Sequence, residues 1–330
     1  MEIEVHARLR GAMRTVWCNF LSSVGLEADD NLEQTVLVWD DEELIATGSR
    51  QGNLLKCLAV SPSRQGEGLL ATVLSALRQE AFRAGHRHLF LYTKPKNIDL
   101  FTPLFFYPVA QTERVLLMED QKYGIRNFVD SLQPEKQAGT IGAIVMNCNP
   151  FTRGHQYLIT TAAQACDHLY VFVLSEDQSF FTAKDRMEMV KLGTAHIPNV
   201  TVLPTGPYLI SSATFPTYFL KDREAAPQVQ CELDIQIFAR YFAPAFSITR
   251  RYVGTEPLSP LTNQYNDALK AILPTYGIAV EELPRLECGG LPISASAVRA
   301  ALEAKDWAAV AQLVPETTLR YLQTLYPAQS

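Results

Sequence analysis

The sequence predicts an α/β protein of two domains, an α+β domain followed by an open parallel sheet with a helical C-terminus. Residues 35–120 combine several short strand patterns with one long helical pattern, which is typical of an α+β domain. From residue 141 onward, apolar strands alternate with helices of about a dozen residues, and this alternation predicts a parallel sheet with crossover helices. The length of 330 residues also favours two hydrophobic cores over one.

The first domain opens with strand patterns in residues 35–60, separated by turns that contain acidic residues and glycines. In residues 61–85, apolar side chains recur at helical spacing. Residues 88–95 and 114–120 predict two further strands, and residues 97–111 predict a short aromatic helix or loop. A mixed domain of strands around one main helix follows from this order.

A linker is predicted in Asp130–Thr140, a polar segment that contains both Pro134 and Gly139. We therefore place the first domain at residues 1–133 and the second at residues 134–330. The second domain alternates strands and helices. Its predicted strands are residues 141–146, 168–175, 199–205 and 246–257, and its predicted helices are residues 154–166, 183–196, 294–314 and 317–326.

Composition and charge argue against several classes of protein. The formal net charge is −6 and no basic run occurs, so we expect no nucleic-acid partner. No segment reaches the roughly 18–20 apolar residues of a membrane span, and the N-terminus lacks a signal-peptide pattern. The six cysteines form no C-x-x-C pair, which argues against a zinc site and a disulfide framework. We expect a cytoplasmic protein with reduced thiols.

The junction between the first strand and the first helix of the second domain is the main functional signal. The strand ends near Met146, so Asn147–His155 lies at the carboxyl edge of the sheet, where helix N-termini favour phosphate groups. Gly154 lets backbone approach a ligand, Thr152 offers a hydroxyl, and His155 can reach a phosphate. Neither a P-loop nor a complete G-x-G-x-x-G pattern occurs.

Two segments together resemble the signatures of the nucleotidylyltransferase superfamily, which has a Rossmann-like parallel sheet. They are Thr152-Arg153-Gly154-His155 and Ile293–Arg299, in this order in the chain. The resemblance implies that His155 and Thr152 are catalytic donors to the triphosphate of ATP. The residues that it implies for ATP binding are Pro150, Phe151, Gly154, Ser294, Ser296 and Arg299. By themselves, His155 and Ser294 are equally typical of helix caps, and Arg299 of a solvated helix charge.

A longer similarity covers nearly the whole chain. The segments NCNPFTRGHQYL, SSATFPTYFLKD, RYVGTEPLSPLTNQYN and LPISASAVRAAL resemble the citrate lyase ligase family. The resemblance implies that ATP and acetate form acetyl-AMP and pyrophosphate, and that the acetyl group then passes to the prosthetic-group thiol of the citrate lyase acyl-carrier subunit. Mg²⁺ is expected on the nucleotide phosphates.

Further ATP-binding candidates lie at other ends of predicted strands. Lys184 and Arg186 begin the helix after the second strand, although first-turn charges are commonly just solvated. Gly254, Thr255 and Glu256 end a later strand, where adenine or ribose is expected, although an ordinary turn has the same composition.

The first domain contains a segment that resembles the acetyl-CoA-binding turn of the GNAT acetyltransferases. The candidate residues are Arg64, Gln65, Gly66 and Gly68, which precede the predicted helix. Backbone N–H groups there would hold the pyrophosphate of acetyl-CoA or CoA. The first position of the pattern holds Ser63 instead of glutamine or arginine. The domain is therefore also compatible with binding the pantetheine-like arm of the carrier protein.

Other functions fit part of the evidence. A cofactor adenylyltransferase acting on a phosphopantetheine or a mononucleotide would share both phosphate motifs. A regulatory protein whose nucleotide domain only senses ATP is an alternative of another class. A protein acetyltransferase that uses acetyl-CoA is a third, with the second domain as an accessory.

Overall fold

In a computed structural model, the chain forms two compact units, one of residues 1–125 and 215–229 and one of residues 126–214 and 230–330. The described residues are 1–132, 137–176, 179–209, 215–220, 226–256 and 260–326. The predicted boundary between residues 133 and 134 lies outside the described residues and stays a prediction.

The first unit is built on a mixed seven-stranded sheet. Its strands are β1 (Glu2–His6), β2 (Gln34–Asp40), β3 (Glu43–Gln51), β4 (Leu54–Val60), β5 (Phe90–Thr93), β6 (Tyr107–Gln111) and β7 (Leu116–Glu119), and its helices are α1 (Gly11–Ser23), α2 (Leu69–Arg83) and α3 (Ile98–Phe101). The order across the sheet is β1–β2–β3–β4–β5–β7–β6. Helix α2 packs so closely on β3 that a Cβ at Gly48 would lie 2.6 Å from Val73 Cγ1.

From residue 124 onward, the chain contains a five-stranded parallel sheet. The sequence predicts a parallel sheet with four of these strands. Its strands are β8 (Ile141–Met146), β9 (His168–Val173), β10 (Val200–Pro204), β11 (Arg250–Gly254) and β12 (Ala279–Leu283), in the order β10–β9–β8–β11–β12, and β13 (Glu287–Cys288) pairs with β14 (Leu291–Pro292) as a small hairpin. The helices are α4 (Gly124–Leu132), α5 (Arg153–Gln164), α6 (Ala183–Thr194), α7 (Ala226–Ile237), α8 (Ala243–Ala245), α9 (Pro260–Ile272), α10 (Ala295–Glu303), α11 (Trp307–Leu313) and α12 (Glu316–Leu325). The predicted α/β fold with a helical C-terminus is confirmed.

Strand β8 lies at the topological switch point of this sheet. The chain passes from β8 to β9 on one side and later places β11 on the other side, so the connections diverge between β8 and β11. Ligands of open α/β sheets bind in the crevice at this point, beyond the carboxyl ends of the strands. One face of the sheet is covered by a core that includes Phe151, Ile159 and Val298. In another part of the second unit, the rings of Phe172 and Phe242 pack edge to face, with their centroids 5.3 Å apart.

Some elements were not predicted from the sequence. Residues 97–111 predict a short aromatic helix or loop, whereas residues 107–111 form β6. Pro108 weakens the strand pattern, and proline within sheets occurs mainly in edge strands such as β6. Strand β12, with the sequence AVEEL, is an edge strand with two adjacent glutamates and has no clear alternation. In the described part of the chain, none of the helices is both long and apolar enough to span a membrane.

Candidate active site

A cavity of about 670 Å³ opens at the carboxyl ends of β8 and β11, within the range of volumes found for small-molecule sites. Its wall includes the ends of both strands, the first turn of α5 and the start of α10. This is the crevice that the strand order indicates. The polar side chains on its lining include Asn147, Thr152, His155, Arg251, Glu256, Tyr265, Asn266, Arg285, Ser294, Ser296 and Arg299.

Thr152 and His155 form a reciprocal cap at the N-terminus of α5. The Thr152 hydroxyl accepts from the backbone N–H of His155 at 3.3 Å, and the backbone N–H of Thr152 donates to His155 Nδ1 at 3.1 Å. Because Nδ1 is an acceptor, a neutral imidazole carries its proton on Nε2. The capping geometry therefore leaves His155 with an N–H that can donate to a ligand.

His155 is neutral at physiological pH. Burial lowers its pKa to about 4, and the nearby positive charge of Arg285 acts in the same direction. The ring also lies 5.9 Å from the ring of Phe151, in a stacked arrangement. Phe151 is fully buried and does not line the cavity. Its ring therefore supports the orientation of the His155 ring from the core side.

The loop between β8 and α5 is held by two arginines from distant parts of the sequence. The fully buried Arg186 donates to the backbone carbonyls of Asn147 at 3.0 Å and Phe181 at 3.2 Å. Arg299 donates from Nη1 to the carbonyl of Asn149 at 2.6 Å. Arg186 therefore orders the loop without lining the cavity, whereas Arg299 does both.

Helix α10 brings the second signature segment to the same cavity. The Ser294 hydroxyl accepts from the backbone N–H of Ala297 at 3.1 Å and lies 3.0 Å from the Ser296 hydroxyl. The two segments touch at Gly154, where an added Cβ would lie 3.4 Å from the carbonyl of Ile293. Val298, fully buried, anchors α10 in the core.

The end of β11 is braced by side chains from the following elements. The Gly254 carbonyl accepts from Asn266 Nδ2 at 2.9 Å, and the Thr255 hydroxyl accepts from the backbone N–H of Arg285 at 3.2 Å. The carboxylate of Glu256 pairs with the guanidinium of Arg285. Gly254 and Glu256 line the cavity, while Thr255 fastens the neighbouring loop.

The structure thus gathers eight of the thirteen residues predicted for catalysis and ATP binding on one cavity lining. They are Thr152, Gly154, His155, Gly254, Glu256, Ser294, Ser296 and Arg299. The other five are Pro150, Phe151, Lys184, Arg186 and Thr255. Lys184 is exposed on the first turn of α6 and is not one of the residues that line the cavity.

The first unit has a cavity of about 390 Å³ that includes all four candidate residues for CoA-type binding. Those residues are Arg64, Gln65, Gly66 and Gly68. Strands β4 and β5 pair only at their beginnings, through Leu54–Phe90 and Leu55–Leu91 among the described residues, and the cavity lies where they separate. Gly66 and Gly68 have φ angles of 90° and 76°, which glycine adopts without strain.

Comparison with known proteins places the chain in a family. The model of the "Citrate lyase ligase C-terminal domain" matches residues 141–322. The chain belongs to the citrate lyase ligase family. It is 43% identical to the [Citrate [pro-3S]-lyase] ligase of Klebsiella pneumoniae over 93% of this chain and 91% of that protein. It is 42% identical to the ligase of the same name from Escherichia coli strain K12, over 93% and 89% respectively.

The family domain of residues 141–322 contains the whole lining of the larger cavity. Its relatives are named ligases, and the chain is an enzyme of this family. Among solved structures, Escherichia coli ElaA is 14% identical, covering 36% of this chain and 99% of its own, with a TM-score of 0.33. That similarity is too low to say anything about the first unit.

Sequence reasoning missed six polar residues on the lining of this cavity, namely Asn147, Arg251, Thr262, Tyr265, Asn266 and Arg285. Arg251 did carry a signal, because an arginine inside the apolar strand pattern of residues 246–257 is rarely buried without a partner. Thr262, Tyr265 and Asn266 lie in the segment RYVGTEPLSPLTNQYN, whose resemblance to the ligase family does not by itself indicate which of its residues reach the cavity. Their position and that of Arg285 depend on how α9 and the loop after β12 return to the sheet.

Proposed function

We propose that this enzyme activates acetate with ATP and transfers the acetyl group to the prosthetic-group thiol of the citrate lyase acyl-carrier subunit. Membership of the family supports this reaction. The observation that carries the proposal is the single cavity that receives both signature segments at the switch point of the parallel sheet. A cofactor adenylyltransferase or an ATP sensor is less favoured, because the long matches are to ligases.

The reaction has two displacements. In the first, a carboxylate oxygen of acetate attacks the α-phosphorus of ATP, the bond from this phosphorus to the bridging oxygen breaks, and pyrophosphate leaves. In the second, the thiolate sulfur of the carrier attacks the acetyl carbon, the bond from that carbon to the AMP oxygen breaks, and AMP leaves. The thiol proton is released before the attack. No covalent intermediate on a protein side chain is needed.

Catalysis of the first displacement requires donors aimed at the charge that develops on phosphoryl oxygens. The Nε2–H of His155 is such a donor, because Nδ1 already accepts from the backbone of Thr152. Ser296 and Arg299 line the cavity at the N-terminus of α10, where the helix dipole also favours anions. We assign the β- and γ-phosphates to this end of the cavity.

Mg²⁺ is proposed to travel with the nucleotide. The carboxylate on the described cavity lining is Glu256, and Arg285 is already paired with it. This donor set fits an ion that keeps most of its ligands from phosphate oxygens and water. The ion would supply charge neutralisation of the triphosphate.

The first-unit cavity is proposed as a site for a CoA-type group, such as the pantetheine arm of the carrier. Its support is the two glycines with positive φ before α2 and the position of the cavity where β4 and β5 separate. We do not assign an acetyl transfer to this unit.

The proposed activation is tested by ATP–pyrophosphate exchange with purified protein and Mg²⁺. We expect exchange that depends on acetate, because acetyl-AMP forms reversibly. Exchange that depends on pantetheine phosphate in place of acetate would instead support the adenylyltransferase. Transfer is tested separately by adding the carrier subunit and following its acetylation by mass spectrometry.

A further inference from the structure

Arg251 is a buried charge that the phosphate signatures do not explain. It is the second residue of β11, is 2% exposed and lines the larger cavity. Its Nε and Nη1 have no hydrogen-bond acceptor within the part of the chain that the structure describes. Burying a guanidinium with unmet donors is costly, so an anionic group in the cavity is the expected acceptor.

The surroundings of Arg251 hold the guanidinium in place from one side. Its central carbon lies 4.8 Å from the centre of the Phe238 ring, a cation–π arrangement. The Tyr265 hydroxyl donates to Asp234 Oδ2 at 2.7 Å. Burial lowers the pKa of Arg251, while a hydrogen bond with Tyr265 and the negative charge of Asp234 oppose that shift. A guanidinium stays protonated in proteins.

We propose that Arg251 binds the carboxylate of the acid substrate. This inference rests on the proposed function and names the group that recognises acetate. Arg251 lines the cavity, and a guanidinium binds a carboxylate through N–H donors that lie in one plane. A carboxylate has about four lone-pair sites, so two hydrogen bonds leave another lone pair for attack on phosphorus.

A carboxylate fits this position better than a phosphate of ATP. The triphosphate is assigned to the N-termini of α5 and α10, whereas Arg251 lies three residues before the end of β11, deeper in the sheet. Val253 lies two residues further on the same face of β11 and also lines the cavity. A cation beside an aliphatic side chain suits a short acid, with its carboxylate on Arg251 and its methyl group on Val253.

Arg251 also has a use in the second displacement. When the thiolate attacks, the carbonyl oxygen of acetyl-AMP gains negative charge. A guanidinium that held this oxygen as part of acetate remains beside it and stabilises that charge.

The test compares Arg251→Met, Arg251→Lys and the control Arg250→Met in acetate-dependent ATP–pyrophosphate exchange. For Arg251→Met we expect the KM of acetate to rise about 10- to 100-fold, the scale of losing a charged hydrogen-bond partner, with the KM of ATP changed less than about twofold. Arg251→Lys should give an intermediate rise, because a lysine offers a point charge without the fork. Arg250→Met should leave the KM of acetate within about threefold, because Arg250 is on the same strand and does not line the cavity.

A direct binding measurement separates this inference from the proposed function. Saturation-transfer NMR with acetate alone should give a signal with the wild-type protein that Arg251→Met loses. If the wild type shows no acetate-dependent exchange, the proposed function fails, and the NMR result still decides the role of Arg251. If Arg251→Met is unstable, the double variant with Asp234→Asn removes the buried counter-charge and is tested in its place.

The inference is wrong if a folded methionine variant keeps the wild-type KM of acetate. It is also wrong if the KM values of acetate and ATP rise by the same factor, because Arg251 would then bind a phosphate or only support the sheet. A selective rise in the KM of the carrier thiol would likewise overturn it, because the anion recognised would belong to the carrier.

Discussion

In each unit, a loop precedes the N-terminus of a helix, but the two helices are capped in different ways. At α5 the cap positions are filled by the side chains of Thr152 and His155. At α2 the cap is Gly68, which has no side chain, so backbone N–H groups of the first turn face the loop. The ligand contacts that we propose therefore rest on side chains in the second unit and on backbone in the first.

The arginines that line the two cavities also differ in their partners. In the first unit, Arg64 pairs with Glu67 at 2.8 Å and with Asp40 at 2.7 Å, and it holds the pKa of Asp40 below its ordinary value. In the second unit, two buried donors of Arg251, Nε and Nη1, have no hydrogen-bond partner among the described residues. A cation already neutralised by neighbours adds little to anion binding. We therefore expect Arg64 to contribute less to anion binding than Arg251.

The largest expected effect is on the rate of the first displacement, through His155→Asn. The asparagine oxygen occupies the place of Nδ1 and can still accept from the Thr152 N–H, while the Nε2–H donor is lost. We expect ATP–pyrophosphate exchange to fall about 10²–10³-fold, the scale of losing one transition-state donor. Thermal unfolding is the control, because the cap is kept. Unchanged exchange in the variant would place the catalytic donor elsewhere.

The next effect is on stability as pH falls, and it tests whether the second unit really buries a neutral histidine. The pKa of His155 is about 4 in the folded protein and near 6.5 in the unfolded chain. Between these values the unfolded chain binds the extra proton, so the free energy of unfolding decreases as pH falls from 6.5 to 4. The difference between the two pKa values corresponds to a loss of at most about 3 kcal/mol. Because the ring is partly accessible from the cavity, the loss should be smaller than this limit.

Denaturant unfolding at pH 7 and pH 4.5 measures this loss. His155→Asn has no titrating group at this position, so its free energy of unfolding should fall less over the same interval. An equal loss in both proteins would show that other groups account for the pH dependence.

A smaller effect is expected at the cap of α10. Replacing Ser294 with alanine should lower the free energy of unfolding by about 1 kcal/mol, whereas glycine should cost only a few tenths. If the hydroxyl also binds a phosphate, both variants raise the KM of ATP to the same extent despite their different stabilities. A KM of ATP that changes only in step with stability would restrict Ser294 to capping.

The smallest effect is expected in the first unit. Because Asp40 and Glu67 already neutralise Arg64, the change Arg64→Ala should alter the dissociation constant of CoA by less than about threefold. The double change Asp40→Asn with Glu67→Gln should tighten CoA binding by freeing the guanidinium. Isothermal titration calorimetry measures both. A tenfold loss of CoA affinity in Arg64→Ala would contradict this comparison, because Arg64 would then bind an anion despite its two carboxylate partners.

The sequence was sufficient for features that depend on neighbouring residues. The end of β8 at Met146, the start of α5 after Thr152 and the cap at Ser294 follow from apolar runs and cap chemistry within a few residues. That the two signature segments share one cavity also followed, since parallel strands carry helix N-termini to the same edge of a sheet.

Tertiary structure alone decided what the charged residues do. Arg186 begins a helix at the predicted ligand edge, yet its guanidinium orders the loop of Asn147, 39 residues away. Arg64 is neutralised by Asp40, 24 residues away, and Arg251 is left with unmet donors by the packing of α7 and α9. A charge is used according to its desolvation and its partners, and both depend on segments that are distant in the chain.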